Sequence, residues 1–273
     1  MTEWFHATLA ALANPGPWRS FRHVFLVGFM DDGKDYLLSA LILWGLLHVV
    51  LRKRLAHRVI GGWPTAADLR REIAYSISTL CVITALNAAI LALAVSGVVE
   101  VYQDPLKHGL AWLLLSLPVL LVWHDFYFYW THRLLHTRWM FRHVHGVHHR
   151  SRNPSPWAAF SFHPLEALIN AMVLPIGLLV LPLNGYVVAA FAIHQIVRNT
   201  HGHAAVETLP RGFARHWLGG RFVTTTHHHL HHETARGNYG LWFTWMDRWC
   251  RTEREDYLHR FDASTGPRPS PAN

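Results

Sequence analysis

The chain of 273 residues is 51% hydrophobic and 13% aromatic, and its formal net charge at pH 7 is +8. Its apolar residues form long runs and are not spread at helical spacing, which favours a membrane protein over a soluble domain. The arginine clusters lie beside these runs, so we assign the positive charge to an anionic membrane surface and not to nucleic acid. The two cysteines, Cys81 and Cys250, have no CxxC or CxxCH spacing. That excludes a disulfide framework, a thiolate metal site and covalent haem attachment.

Three apolar runs are candidate membrane spans, at residues 36–51, 73–99 and 110–130. A spanning helix needs about 20 residues, so the first run is short unless its flanks extend it. A fourth run, residues 165–197, is too long for one span, and Pro182, Asn184 and Gly185 near its middle would break a helix. We predict a helical hairpin there, which either crosses twice or dips into the bilayer and returns.

Positive charge is unevenly distributed between these runs. Lys and Arg concentrate in residues 52–72, 131–153 and 198–260, whereas residues 100–108 hold almost none. The positive-inside rule places the three basic segments on the cytoplasmic side. We expect an integral membrane protein, in a bacterial inner membrane.

The chain has 23 histidines, and the spacing of some of them indicates a metal site. His132 and His136 form an i,i+4 pair in HRLLH and share a helix face. An H-x-x-H-H box occurs twice, as HGVHH at 145–149 and as HHLHH at 228–232. On a helix, each such box can present three imidazoles to one point. Eight imidazoles exceed what one tetrahedral zinc uses and suit two metals, each with an open position.

The ligand type does not determine which metal binds, because imidazole binds iron, copper, nickel and zinc. A solvated, histidine-rich loop is the alternative explanation of the boxes. We favour metal ligation, since a polar cluster at a membrane face is costly unless it serves a site.

The predicted fold is all-α. It is an integral membrane helical bundle of about four to five membrane segments, including the hairpin, with a cytoplasmic histidine-rich cap that holds a dimetal site. Residues 1–109 would form an N-terminal membrane region, residues 110–260 the catalytic domain and residues 261–273 a Pro/Ser-rich disordered tail.

Residues 110–255 resemble the fatty acid hydroxylase/sterol desaturase superfamily of membrane di-iron enzymes. The resemblance rests on HDFYFYWTHRLLH (124–136), HVHGVHH (143–149), HPLE (163–166), NTHGHAAVE (199–207), HHLHH (228–232) and NYGLWFTWMDRWCRTE (238–253). Each motif alone is weak, and their combination is specific. The resemblance implies two iron ions, although the isolated protein could carry zinc.

Carried over box by box, the resemblance implies nine metal ligands. They are His132, His136, His145, His148, His149, His203, His228, His231 and His232. Six neighbouring histidines are additional candidates: His124, His163, His194, His201, His227 and His229. Four polar residues could orient a ligating imidazole through its second nitrogen, with capping or ion pairing as the alternative role: Asp125, Glu166, Asn199 and Glu207.

The implied reaction uses O2 to hydroxylate a C–H bond of a lipid such as a sterol or a fatty acyl chain. The chain has no Gly-rich dinucleotide fingerprint and no cysteine cluster, so we expect electrons from a separate reductase with a ferredoxin or cytochrome b5-type carrier. No residue decides between hydroxylation and desaturation. A membrane zinc hydrolase, with Glu233 as the adjacent general base, and a non-enzymatic metal-binding membrane protein are the remaining alternatives.

Overall fold

The computed structural model describes residues 17–267, which are mostly helical. Its α-helices, numbered in chain order, are α1 Pro17–Trp44, α2 Ala66–Val95, α3 Gly109–Leu135, α4 Arg138–His143, α5 Pro164–Ala171, α6 Val173–Leu178, α7 Gly185–Gly202, α8 Thr225–Thr234, α9 Trp245–Trp249 and α10 Tyr257–Thr265. A π-helical segment, Gly45–Val50, continues α1. The strands are β1 Val101–Tyr102 and β2 Leu183–Asn184, which pair in parallel.

Three helices are long and apolar enough to cross a membrane: Val24–Val50, Ala66–Val95 and Gly109–Leu135. At about 1.5 Å per residue, each exceeds the roughly 30 Å of a hydrocarbon core. Only 22% of the most apolar stretch of each is buried within the protein, so their outer faces are left for lipid. The chain is therefore an all-α integral membrane protein. The first span begins at Val24, well before the predicted residue 36, because its flanks extend it.

The fourth apolar region breaks where the sequence predicts. Helices α5 and α6 end before Pro182, β2 follows, and α7 begins at Gly185, with Asn184 capping it by accepting from the Tyr186 N–H at 2.9 Å. The apolar stretch Pro164–Leu178 covers about 22 Å at 1.5 Å per residue, which is shorter than a hydrocarbon core. That length favours an arm that dips into the bilayer and returns.

The first two helices pack against the histidine-rich part of the chain. The Tyr36 hydroxyl donates to the Trp157 carbonyl oxygen at 2.8 Å and lies 2.9 Å from the Ser76 hydroxyl. Tyr36 and Trp157 belong to one buried apolar cluster. A second cluster, which includes Leu120 and Trp242, joins α3 to the segment before α9. Residues 1–109 and 110–260, which the sequence analysis names as the membrane region and the catalytic domain, thus pack against each other through both clusters.

The predicted disordered tail begins too early. Residues 257–265 form α10, and Tyr257 and Phe261 on that helix are buried against Leu230 of α8. Their burial stabilises the helix. The Pro/Ser-rich composition of the residues that follow gives no indication of this packing. Residues 268–273 lie outside the described residues.

Candidate metal centre

The nine histidines carried over from the resemblance lie in two groups. Cluster one consists of His132, His136, His145, His149 and His231. Cluster two consists of His148, His203, His228 and His232. Within each cluster, one potential ligand nitrogen per residue lies within 4.8 Å of the others.

The Nε2 atoms of cluster one converge on one point. His145 Nε2 lies 3.1 Å from His132 Nε2, 3.0 Å from His136 Nε2 and 3.1 Å from His149 Nε2. His231 Nε2 lies 3.1 Å from His136 Nε2. Four of these imidazoles are buried, and His136 is partly exposed.

Cluster two has the same geometry and is more enclosed. His203 Nε2 lies 3.3 Å from His148 Nε2 and 3.0 Å from His228 Nε2. His232 Nε2 lies 3.2 Å from His228 Nε2. All four imidazoles are buried.

The opposite ring nitrogens of five clustered histidines donate to backbone carbonyls, whereas Nδ1 of His149 and Nδ1 of His228 have no partner among residues 17–267. In cluster one, Nδ1 of His132 donates to the Tyr239 carbonyl oxygen at 2.8 Å, and Nδ1 of His231 donates to that of Gly237 at 2.7 Å. In cluster two, three Nδ1 atoms donate to a backbone carbonyl oxygen: that of His148 to Ser161 at 3.2 Å, that of His203 to Asn199 at 2.8 Å and that of His232 to Ser151 at 3.0 Å. A carbonyl oxygen can only accept, so in these five rings Nδ1 carries the proton and Nε2 presents a lone pair.

This donor set fits metal ions. Two Nε2 atoms about 3 Å apart cannot hydrogen-bond to one another when both rings carry their proton on Nδ1, and a cation between them removes the repulsion of their lone pairs. Burial keeps the rings neutral, because desolvation lowers the pKa of His149 to about 3 and that of His203 to about 4. Neutral imidazole is the form that ligates a metal. The two clusters are thus arranged for two ions.

The expectation that each H-x-x-H-H box serves one point is wrong. His228 and His232 belong to cluster two, whereas His231 belongs to cluster one. On helix α8, residues i and i+4 are rotated by about 40°, but residues i+3 and i+4 by about 100°, so adjacent histidines face different ways. The box at 145–149 divides in the same manner, and each box therefore links both clusters.

Of the four predicted orienting residues, Glu166 contacts a cluster histidine through its side chain. Its Oε1 accepts from Nδ1 of His145 at 2.7 Å, and both residues are buried. Asn199 supports His203 through its backbone carbonyl, while its side chain donates to the Ala159 carbonyl oxygen at 2.7 Å.

Glu207 and Asp125 instead stabilise backbone segments. Glu207 Oε2 accepts from the N–H (2.9 Å) and the hydroxyl (2.7 Å) of Thr226, which fixes the first turn of α8. Asp125 accepts from the Trp242 N–H at 3.1 Å and the Trp245 indole at 2.5 Å. Through these bonds Asp125 positions the segment that carries the Tyr239 carbonyl.

Within residues 17–267, none of the six additional histidines lies in either cluster. His124 Nε2 lies 2.8 Å from the amide of Gln195, His163 Nδ1 accepts from the Leu165 N–H at 3.2 Å, and His201 Nε2 lies 2.7 Å from the Thr208 hydroxyl. His194 packs on the Trp242 ring, His227 lies 4.0 Å from Asp247 and Glu253, and His229 packs beside Gly61. Sequence proximity to a box alone did not distinguish these packed histidines from the clustered ones.

A cavity of about 150 Å³ adjoins both clusters. Histidines of both clusters line it: His132 and His145 from cluster one, and His148, His203 and His228 from cluster two. Most of the other lining residues are apolar, including Phe128, Phe160, Leu174 and Phe191. The arrangement brings two potential metal sites to the wall of a largely apolar space between the membrane helices.

Sequence reasoning missed the supports of the cluster and the polar lining of this cavity. The Tyr239 and Gly237 supports are backbone carbonyls, which residue identity does not reveal. Asn170 and Gln195 line the cavity. Each is a polar residue within an apolar helical run, and that signal was available in the sequence.

The fold and the two clusters define a helical membrane protein with a histidine-rich metal centre. Comparison with known proteins places the chain in the same class. The sequence profile of the fatty acid hydroxylase family matches residues 117–252, about half of the chain. The chain is 29% identical to a Delta(7)-sterol 5(6)-desaturase of Gibberella zeae, over 68% of this chain and 56% of that protein. It is also 29% identical to human lathosterol oxidase, over 66% of this chain and 60% of that protein.

A third relative, a Delta(7)-sterol 5(6)-desaturase of Schizosaccharomyces pombe, is 26% identical over 95% of this chain and 75% of that protein. No solved structure matches the chain. The chain belongs to the fatty acid hydroxylase/sterol desaturase superfamily. Its match spans less than two thirds of the length of the Gibberella and human relatives, at 56% and 60%.

Proposed function

We propose that this protein is a membrane-bound di-iron oxygenase that hydroxylates a C–H bond of a lipid. The observation that carries the proposal is the pair of buried imidazole clusters that opens onto one apolar cavity. Desaturation of a lipid or sterol is the alternative within the same class, and the names of the sterol desaturase relatives support it.

In this proposal the nine clustered histidines are the ligands of two irons. The bound irons would supply the redox chemistry that activates O2 to remove hydrogen from an unactivated C–H bond. In hydroxylation, a C–H bond, O2, two electrons and two protons give a C–OH bond and water. In desaturation, two adjacent C–H bonds, O2, two electrons and two protons give a double bond and two waters.

The side chains of the protein have three roles in this reaction. Neutral imidazoles bind the metals, because their Nε2 atoms converge and backbone carbonyls hold the protons of five of the rings on Nδ1. Glu166 orients His145 and increases its basicity as a ligand. The apolar lining excludes water and positions the lipid carbon near the metals.

Two electrons per turnover must be supplied by another redox group. We propose a ferredoxin or cytochrome b5-type carrier with its reductase. The exposed side chains of Arg236 and Arg251 lie in an open groove with Tyr239, whose carbonyl supports His132 in cluster one. Arg254, Glu253 and Glu255 also line the groove, so it carries one excess formal positive charge, which would favour an acidic carrier.

The zinc hydrolase alternative assigned the general base to Glu233, which lies outside both clusters. Glu233 is exposed, and its Oε2 lies 3.2 Å from an Arg260 guanidinium nitrogen. A carboxylate held at the surface by an arginine is poorly placed to activate a metal-bound water.

The clusters are proposed to face the cytoplasm of a bacterial inner membrane. The basic segments 52–72, 131–153 and 198–260 support that orientation by the positive-inside rule. A membrane-impermeant thiol reagent should then label Cys250 only from the cytoplasmic side. Labelling from the opposite side would overturn the orientation.

Elemental analysis of the detergent-purified protein tests the proposal, together with a His148→Ala/His231→Ala variant that removes one imidazole from each cluster. We expect about two irons per chain in the wild type after iron reconstitution, and loss of both in the variant. Under O2 and a reductant, lipid extracts should gain a hydroxylated or desaturated product that mass spectrometry detects. A reconstituted protein without two metals, or a variant that keeps both, would refute the proposal.

A further inference from the structure

The carbonyls that orient His132 and His231 belong to one short loop, residues 237–240. The Tyr239 carbonyl accepts from His132 at 2.8 Å, and the Gly237 carbonyl accepts from His231 at 2.7 Å. Both histidines belong to cluster one. The loop lies between α8 and α9, outside regular secondary structure, so groups elsewhere in the chain must fix the direction of its carbonyls.

Asp247 on α9 holds one peptide of this loop. Its buried carboxylate accepts from the Tyr239 N–H at 2.8 Å and from the Gly240 N–H at 2.7 Å. The Gly240 N–H and the Tyr239 carbonyl belong to the same planar peptide group, and in a trans peptide these two groups point in opposite directions. One peptide therefore connects the Asp247 carboxylate to the imidazole of His132.

The peptide that orients His231 is held by the same carboxylate through Thr252. The Asn238 N–H, in the peptide that carries the Gly237 carbonyl, donates to the Thr252 carbonyl oxygen at 2.8 Å. Thr252 is fixed in turn, since its hydroxyl donates to Asp247 Oδ1 at 2.7 Å and its N–H donates to the Asp247 carbonyl oxygen at 2.7 Å. Asp247 thus supports both histidine acceptors of the loop, one directly and one through Thr252.

The loop is built for this close contact. A Cβ at Gly240 would lie 2.9 Å from Asp247 Oδ2, so the approach of the carboxylate requires a glycine there. Asn238 is fully buried and has a φ of 53°, in the left-handed region. Its side chain donates to the His227 carbonyl oxygen at 2.9 Å and accepts from the Arg254 N–H at 2.8 Å. A strained backbone persists where its surroundings hold it in this way, and such positions cluster at functional sites.

The carboxylate distinguishes this support from those of cluster two. The peptide that orients His148 is held by a neutral group, because the Phe162 N–H donates to the Phe160 carbonyl oxygen at 2.9 Å. No lysine or arginine among the described residues pairs with the Asp247 side chain, and burial lowers the pKa of His227, 4.0 Å away, to about 4. A buried carboxylate without a cation is costly, and a metal ion at cluster one would supply positive charge.

We propose that Asp247 is a positioning residue of cluster one, whose carboxylate acts through the peptide after Tyr239 to orient His132 and to increase its strength as a ligand. Hydrogen bonds in a chain polarise one another, so the carboxylate strengthens the carbonyl as an acceptor and the imidazole as a donor of electrons to a metal. Together with Glu166 behind His145, Asp247 gives cluster one two carboxylate supports. The inference rests on the proposed function only in requiring that metals occupy the two clusters.

Anaerobic titration of the metal-free protein in detergent with Co(II) tests this inference without turnover. Co(II) is the probe because its visible absorption reports the geometry of its ligands. The Asp247→Asn variant keeps the size of the side chain and can still accept one N–H, but it removes the charge. Glu207→Gln is the matched control, because Glu207 is also buried and also accepts from a backbone N–H and a hydroxyl, those of Thr226. Thr252→Val and Thr252→Ser form a second pair, which removes and keeps the hydroxyl that donates to Asp247.

We expect Asp247→Asn to weaken one Co(II) site by about tenfold and to change its absorption, with the other site unchanged. Adding Glu166→Gln should weaken that same site further and leave the other at its wild-type affinity, since both carboxylates act on cluster one. Glu207→Gln should lower the melting temperature but leave the ratio of the two affinities unchanged. Thr252→Val should show a smaller loss at one site, which Thr252→Ser does not show.

Unchanged affinities in Asp247→Asn, an equal loss at both sites, or a double variant in which each site is weakened once would overturn the inference. If Asp247→Asn fails to fold, the Thr252 pair decides, and a Thr252→Val variant that binds Co(II) like Thr252→Ser overturns it. A wild type that binds fewer than two Co(II) ions would refute the metal centre itself. A protein with two metals that oxidises no lipid would refute the proposed function and leave the role of Asp247 standing.

Discussion

The two histidine clusters share their sequence boxes but differ in what surrounds them. Cluster one has five imidazoles, one of them partly exposed, and its His145 is paired with the carboxylate of Glu166. Cluster two has four buried imidazoles, and the acceptors that hold three of them are backbone carbonyls. Three of its four members line the cavity, against two of five in cluster one.

The two sites therefore differ in their access to solvent and to the cavity. Cluster one is the more open to solvent through His136 and adjoins the open groove that contains Tyr239. Cluster two is the more enclosed and faces the cavity. Since each H-x-x-H-H box contributes to both clusters, the two sites are mechanically linked, yet side-chain substitutions can alter them separately.

Removal of one ligand from each cluster in turn should have the largest effect. We expect His231→Ala to lose the metal of cluster one and His203→Ala that of cluster two, each falling from about two metals per chain toward one. Lipid oxidation should drop at least about 100-fold in both, since even changes to groups behind the ligands cost 10–100-fold. Elemental analysis and product quantification by mass spectrometry measure these effects.

His201→Ala is the matched control, because His201 lies in the same segment as His203 but bonds to Thr208 outside both clusters. It should keep both metals. If His231→Ala and His203→Ala each lost both metals, the clusters would form a single cooperative site and the comparison would fail.

Much of this architecture could be predicted from the sequence, because it depends on residue patterns. The long apolar runs indicated the three spans, and Pro182 and Gly185 marked the break that separates α6 from α7. Histidine spacing identified eight of the nine clustered residues, and the family resemblance identified the ninth, His203.

Helix periodicity alone separates the adjacent histidines of a box, but which cluster each one joins could not be predicted, since it depends on how helix α8 is rotated against its neighbours. The carbonyls of Tyr239 and Gly237 were also beyond prediction, because every residue has one and tertiary folding decides which meets an imidazole. Asp125 shows the same limit: it lies beside a histidine in sequence, yet its carboxylate holds the backbone near Trp242.

Acidification should destabilise the metal-free protein through both clusters. Burial lowers the pKa of His203 to about 4 and that of His149 to about 3, from 6.5. Below pH 6.5 the unfolded chain binds protons that the folded chain does not, so stability falls as the pH drops toward these folded-state values. For His203 alone the loss is about 3 kcal/mol between pH 6.5 and 4.

The melting temperature of the metal-free protein in detergent, followed from pH 7.5 to 4.5, measures this loss. His203→Ala should melt with a shallower pH dependence than the wild type, because one buried titrating group is gone. A melting temperature that stays constant between pH 6.5 and 4.5 would contradict the buried, neutral state of the clusters.

The Glu166→Gln substitution should have the smallest effect and should act on cluster one. Burial raises the pKa of Glu166 well above its usual value, so a bound cation is needed to stabilise its negative charge. The amide keeps the size of the side chain and can still accept from His145 Nδ1, but it cannot supply that charge, which increases the basicity of this ligand when metal is bound. We expect iron affinity at cluster one to fall by about 10-fold to 100-fold, with the cluster two metal retained. Titration of the metal-free protein with Fe(II) under anaerobic conditions should resolve one weakened site and one unchanged site.

Glu233→Gln provides the control for this substitution. Glu233 follows the last histidine box directly but is exposed and paired with Arg260, so its neutralisation should leave both iron affinities unchanged. If Glu166→Gln weakened both sites equally, the carboxylate would act on the whole centre, and the contrast between a carboxylate-supported cluster and a carbonyl-supported one would be lost. If Glu233→Gln abolished activity while both metals remained bound, a general base beside the last box would be required, as a hydrolase needs and a di-iron oxygenase does not.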